Sequence, residues 1–244
     1  MLLQAVNYAL VALVFGSIGA APFSQRARAV LTYTLIPALC SYSAYKATGA
    51  SQLEEELTFY ASFHSDPWNQ LIHIIFVPLI VFTSLVWAAY VPSPLSKSPL
   101  FTHAPINLWQ LMACLSFAVR WVLLSPEVGG CVALFTVAQA GIASAIVGRE
   151  VKAGAKGVAA SRYGTAAKIA GVFHILSWYM QIHPGHLVFE GRRPALLDSL
   201  TQAFMDAPLF VWFEVAFKLG YRPELQQALT VAVQRQHLVW ASGA

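Results

Sequence analysis

Leu71 to Val91 is a run of 21 residues with no Asp, Glu, Lys or Arg in it. A helix needs about 20 such residues to cross the hydrocarbon core of a bilayer. Inside lipid every backbone N–H and C=O must find a partner within the chain, so a run of this kind is a helix or one strand of a closed barrel. The run shows no two-residue alternation, and others of its kind recur along the chain. Leu2 to Ala21 and Val128 to Gly148 are equally free of charge, and Ile106 to Leu124 is broken only by Arg120. The fold these runs dictate is all-α, a polytopic helical membrane protein of about five to seven hydrophobic helices.

Composition agrees. Hydrophobic residues make up 57% of the 244 and charged residues only 11%, where a soluble domain carries about a quarter. The net charge of +4 comes from basic residues in short segments between apolar runs, a pattern that orients helices in a membrane and gives no face for nucleic acid. Cys40, Cys114 and Cys131 stand apart within apolar stretches and read as buried thiols; they form neither a disulfide framework nor a zinc motif.

The first run ends at Pro22 and the pair Arg26 and Arg28. It lacks a positive charge ahead of the apolar core and reads as a retained span, with cleavage after Ala20 or Ala21 as the alternative. Ala29 to Ala47 holds Thr32, Thr34, Pro37 and Ser41, and either spans or lies kinked at the interface. Residues 1–50 thus form a hydrophobic extension, 51–222 a membrane domain and 223–244 a polar tail, in which His237 is expected at the surface. Glu54, Glu55 and Glu56 read as solvated. Arg120 is expected to snorkel or to pair inside the bundle. The segment from Arg149 to Lys168 is basic and rich in small residues, as a cytoplasmic loop would be. Ala170 to Ile182 is too short to cross alone. On the apolar helix from Ala207 to Gly220, Pro208 suits the first turn and Gly220 the stop, and Glu214 and Lys218 are four apart and placed to pair.

Two segments collect histidines. In "YASFHSDPWNQLIHIIFVP" the pair Asp66 and Pro67 signals a helix start, so His64 precedes the helix while Asn69 and His73 share one of its faces. In "HILSWYMQIHPGH" His174 and Gln181 lie two turns apart on one face. Pro184 and Gly185 are expected to break that helix, turning His186 inward and leaving Glu190 one turn on to orient its ring. Membrane-embedded imidazoles serve as interhelical hydrogen bonders or as ligands for iron, zinc or copper. Spacing alone leaves both open, because the His-x-x-His of His183 and His186 is short and common. Seven histidines without repeated HxxxH or HxxHH boxes fit one metal better than a di-iron pair. His103, in its proline-flanked loop, has no neighbouring partner. No nucleophile elbow, phosphate loop or dinucleotide fingerprint occurs.

The same two blocks resemble the iron(II)-dependent 2-hydroxy fatty acid dioxygenases of the endoplasmic reticulum, which act in phytosphingosine degradation. The motif positions are Tyr60, His64, Asn69, His73 and Pro78, then Gln181, Gly185, His186, Glu190, Pro194, Ala195 and Leu196. The resemblance runs from about Leu57 to Arg222. It implies α-oxidation, in which a 2-hydroxy long-chain fatty acid and dioxygen give the acid one carbon shorter and carbon dioxide. It further implies Fe(II) held by His64, His73 and His186, with His174 and His183 competing for any further place. Asn69, Gln181 and Glu190 would orient ligands or bond substrate, and Arg192 and Arg193 would attract its carboxylate, unless they meet lipid phosphates instead. The rival readings are a transporter or lipid-binding scaffold and a zinc-dependent membrane hydrolase. One difficulty attends any of them. If every run crosses, His64 starts on the side opposite Arg149 to Lys168, and uniting the two histidine groups requires a site within the bilayer or a run that does not cross.

Overall fold

The computed structural model describes residues 50–91, 106–154, 164–194 and 202–242, whose regular structure is entirely helical, with no strand among them. Both N-terminal apolar runs, Cys40, His103, Ala195 and Leu196 lie outside the described residues. In chain order the elements are α1 (Ala50–Ser62), α2 (Pro67–Ala89), α3 (Leu108–Leu124), α4 (Pro126–Gly154) and α5 (Thr165–Met180). A π-helical segment (Gln181–Glu190) continues α5; a short π turn (Gln202–Asp206) leads into α6 (Ala207–Lys218), and α7 (Pro223–Ala241) closes the chain. Of these, α2 and α4 are long and apolar enough to cross a membrane, and α3 is a shorter apolar helix.

Asp66 caps α2, accepting from the backbone N–H of Trp68 at 2.8 Å and of Asn69 at 3.2 Å, with Pro67 in the first turn. These are the helix-start residues the sequence displays. Antiparallel to α2 runs α5 with its π extension. Trp87 Nε1 donates to the Ala167 carbonyl at 3.1 Å, Thr83 bonds His174, the His73 and His186 rings meet, and Ser65 and Asp66 reach Glu190. The expected break at Pro184 and Gly185 does not occur. The helix instead widens into i→i+5 winding, where the missing N–H of proline is tolerated, and ends at Gly191 in the left-handed region at φ 64°. That extension lets the chain from Thr165 to Glu190 run alongside the whole of α2. It also brings His64 and His186 to one end of the helix pair, while Tyr90, Glu150 and the start of α5 meet at the other.

Polar side chains tie the apolar helices together. Asn107 and Gln110 form a capping box at the start of α3, and buried Gln110 Nε2 donates to the Leu85 carbonyl of α2 and the Ala140 carbonyl of α4. Ala140 and Ala143 are fully buried, which lets the backbones approach closely. Arg120 pairs inside the bundle: its Nε donates to Asp206 Oδ1 at 2.5 Å and its Nη2 to Asp206 Oδ2 at 2.6 Å, with Glu56 Oε1 at 3.5 Å. Glu56 is therefore turned inward, unlike the exposed Glu54 and Glu55.

Three further expectations change. Cys131 is exposed, and only Cys114 of the two described cysteines is buried. His237, expected at the surface, is drawn in: the polar C-terminal region is the helix α7, which packs on α1, buries Leu225 and Leu229 in the core, and directs His237 Nε2 to the Ser62 carbonyl at 2.9 Å. Glu214 makes no salt bridge to Lys218, because its carboxylate is buried and faces the Tyr60 hydroxyl.

Candidate metal centre

The last turn of α1 leaves carbonyls without helical partners. The carbonyl of Tyr60, which accepts from Phe63 N at 3.0 Å in a tightened last turn, also receives His64 Nδ1 at 2.8 Å. One turn inside α2, the Asn69 carbonyl receives His73 Nδ1 at 2.9 Å. Both rings are therefore held as the tautomer that protonates Nδ1, which leaves the Nε2 lone pair free to ligate. His186 comes from the π segment. Winding by i→i+5 puts residues five apart about one turn from each other, so Gln181 and His186 share the buried face, where α-helical winding would separate them.

The three rings converge edge to face, with centroids 4.4 Å apart for His64 and His73, 4.8 Å for His64 and His186, and 4.9 Å for His73 and His186. One ligand atom from each lies within 4.8 Å of the others, and all three residues are buried. Burial holds the His64 imidazole well below the usual histidine range, an effect to which His73 and His186 add. Near neutral pH it is uncharged, the form that binds a metal. His186 Nδ1 is buried with no hydrogen-bond partner in the protein, a costly arrangement for a polar nitrogen unless something else engages it. Three converging imidazoles of which one is orphaned fit a divalent transition metal.

Glu190 does not orient the His186 ring. Its carboxylate accepts from Ser65 N at 2.9 and 3.0 Å, from Asp66 N at 3.0 Å and from Asn69 Nδ2 at 3.0 Å, so it pins the π segment to the start of α2. Asn69 also donates to the Phe63 carbonyl at 3.2 Å. A Cβ added to Gly185 would lie 2.6 Å from Asn69 Oδ1, so only glycine permits this approach of the π segment to α2. Gln181 is buried at the cavity wall and donates to the Ser177 carbonyl at 3.1 Å.

The other two histidines stand away from the triad. His174 accepts from Trp178 Nε1 at 3.1 Å through Nε2 and meets Thr83 Oγ1 at 2.8 Å through Nδ1, which occupies both ring nitrogens between α2 and α5. His183 is exposed and stacks on Tyr179, with centroids 5.5 Å apart.

Beside the triad lies a cavity of about 110 Å³, walled by Tyr60, Gln181 and the apolar side chains of Val77, Ile80, Val81 and Trp178. Its walls follow α2 from His73 to Val81, roughly 12 Å at about 1.5 Å per residue. Arg192 and Arg193 do not line it. They face a larger groove of about 960 Å³ between α1 and α7, where the Arg192 guanidinium lies 4.9 Å from the centre of the Trp240 ring; Phe59 borders both spaces. Sequence reasoning did not give Thr83 as the partner of His174, nor Ser65 and Asp66 as the partners of Glu190. These are contacts between segments distant in the chain, with no local signal.

Comparison with known proteins bears directly on this centre. A family described as "2-hydroxy-palmitic acid dioxygenase Mpo1-like" matches residues 50–219, the stretch that holds all three buried histidines. The "2-hydroxy-palmitic acid dioxygenase MPO1" of Saccharomyces cerevisiae is 32% identical over 181 residues, covering 74% of this chain and 89% of the yeast protein. No solved structure matches. On the extent of the family match and the identity to the yeast protein, the chain belongs to the Mpo1-like 2-hydroxy-palmitic acid dioxygenase family.

Proposed function

We propose that this protein is an iron(II)-dependent dioxygenase of the endoplasmic reticulum membrane. It would convert a 2-hydroxy long-chain fatty acid and dioxygen to the acid one carbon shorter, carbon dioxide and water. The observation that carries the reading is the convergence of His64, His73 and His186, buried in a chain whose yeast relative is named for this chemistry. When bound by these three residues, ferrous iron supplies a largely uncompensated double positive charge for a carboxylate with a neighbouring hydroxyl, and a redox partner for dioxygen.

The chain's own residues do the rest. Val77, Ile80, Val81 and Trp178 hold the alkyl chain against the wall of α2 and keep water from the reacting end. Gln181 stands at the same wall to bond a substrate oxygen, while Asn69 and Glu190 keep the two histidine segments in register. Arg192 and Arg193, in the neighbouring groove, draw the anionic head toward the site from outside it.

The exposed apolar side chains support a polytopic membrane placement. On α5 Val172 is 67% and Ile175 72% exposed, and on α4 Leu134 is 74% exposed, surfaces that water would not tolerate together and lipid tails would cover. The deciding experiment incubates purified protein with 2-hydroxypalmitate in air, with and without ferrous iron. Shortened acid is expected only with iron and oxygen, and His73→Ala should abolish both product and stoichiometric iron while His174→Ala keeps the iron. Turnover without oxygen would favour a zinc hydrolase, and absence of any iron-dependent product from 2-hydroxy acids would remove the reading.

A further inference from the structure

His73 and His186 sit within helical segments, whereas His64 stands in the link between α1 and α2, so helix geometry does not aim its ring. Tyr60 supplies what the link lacks. Its carbonyl receives His64 Nδ1 at 2.8 Å, and its ring lies flat on the imidazole, with centroids 3.9 Å apart and planes 12° from parallel. The carbonyl bond holds one edge of the imidazole and still lets the ring rock about that bond. The parallel face of the tyrosine removes the rocking. Tyr60 is in turn held from α6: its ring packs on Phe210 with centroids 5.0 Å apart, and Phe210 is itself fixed in the core. One turn beyond Phe210, the buried Glu214 carboxylate accepts the hydrogen bond of the Tyr60 hydroxyl. A hydrogen bond to a carboxylate is among the stronger kinds, so the far end of the tyrosine ring is anchored as firmly as its face.

We propose that Tyr60 and Glu214 are positioning residues for the metal: Glu214 fixes the tyrosine ring from α6, and the ring fixes the plane of His64 so that Nε2 points to where His73 and His186 converge. This rests on the reading of the triad as a metal centre and adds the residues that preorganise it. Neither residue touches the metal. Glu214 acts through Tyr60, and Tyr60 acts through His64. An imidazole already held in its ligating orientation loses little freedom when the metal arrives, and residues that orient a histidine ligand typically change metal affinity by about 10–100-fold.

The test uses the full chain in detergent, stripped of metal and titrated with Co(II), whose visible absorption reports both affinity and the geometry of its ligands. Tyr60→Leu fills the space without offering a flat face, and it should weaken Co(II) binding about 10–100-fold and change the absorption bands. Glu214→Leu leaves the ring and removes its anchor, so the loss should be about tenfold. Glu214→Gln keeps an acceptor oxygen and should recover most of the affinity together with the wild-type bands. A merely structural role would lower the unfolding midpoint and leave the spectrum of the folded protein as it is in wild type. Wild-type affinity and bands in a folded Tyr60→Leu protein overturn the proposal. Should Tyr60→Leu fail to fold, the two Glu214 variants decide alone, and equal affinities in the leucine and glutamine proteins overturn it. Failure of the underlying reading looks different: wild type then takes up no Co(II) at all, whereas failure of this pair leaves a wild type that binds and variants that bind alike.

Discussion

Glu190 bonds Ser65, 125 positions away in the chain, and through Asp66 and Asn69 it holds the start of α2 against the π segment. Its role is mechanical, because the residues it bonds flank His64 and precede His73, whereas its own segment carries His186. Hydrogen bonds to a charged group contribute about 1.5–3 kcal/mol each, less where water reaches them, as it does here. Glu190→Ala should therefore destabilise the protein by about 2 kcal/mol and weaken iron retention, although Glu190 is not among the converging ligands. Glu190→Gln should recover part of both, since one acceptor oxygen survives. Thermal unfolding in detergent with iron titration checks this, and an alanine variant with the wild-type midpoint and iron content would contradict it. At this scale the sequence was legible in residue type and wrong in partner. His64, His73 and His186, which the resemblance singles out, do come together, but a carboxylate one turn from a histidine looks like its orienter only while the winding is assumed to be α.

Winding is a property of the element, and the π segment is where local rules gave out. A proline followed by glycine ordinarily ends a helix. Here tertiary contact overrides that preference: the buried face of the segment, formed by Gln181, Gly185 and His186, packs on α2, and those burials recover what the wider winding costs. The start of α2 was legible because Asp66 and Pro67 carry a strong local signal, and the end of α6 because Gly220, at φ 84°, favours a position other residues avoid. Nothing local announces a π helix, whose stability depends on a neighbouring surface. Gly185→Ala tests the fit directly. The added methyl would stand 2.6 Å from Asn69 Oδ1 and 3.3 Å from the Met180 carbonyl, so the π segment must move away from α2. Overpacking of this kind costs about 1–3 kcal/mol, and the displacement carries His186 with it. The expected result is a lower unfolding midpoint with iron affinity reduced more than tenfold; unchanged iron affinity would show that the segment adjusts without disturbing the triad.

Across the whole molecule the centre depends on an ion pair that touches none of its ligands. Arg120, on α3, grips Asp206 at the start of α6 and reaches Glu56 on α1, one turn before Tyr60. It thereby sets α1, which leads into His64, against α6, which carries Phe210 and Glu214. The antiparallel course of α2 and α5 brings the two distant histidine groups to one end of the helix pair, while the apolar runs before residue 50, on which the question of sides also turns, lie outside the described residues. Arg120 itself was conspicuous as a charge within an apolar run, but Asp206 lies 86 positions away and gave no sign of being its partner. Asp206 is completely buried, so Arg120→Ala strands a carboxylate in an apolar interior, a change that costs about 3–5 kcal/mol. Replacing both partners with apolar residues, Arg120→Met with Asp206→Leu, removes the stranded charge and should regain most of that loss. The two outcomes separate what the pair does. If its work is only to satisfy charge, the double variant regains both stability and iron. If it sets the spacing of α1 and α6, the double variant unfolds near the wild-type midpoint yet holds iron less tightly. The geometry predicts the second result, because the guanidinium bridges three helices at fixed distances and no pair of aliphatic side chains can do so.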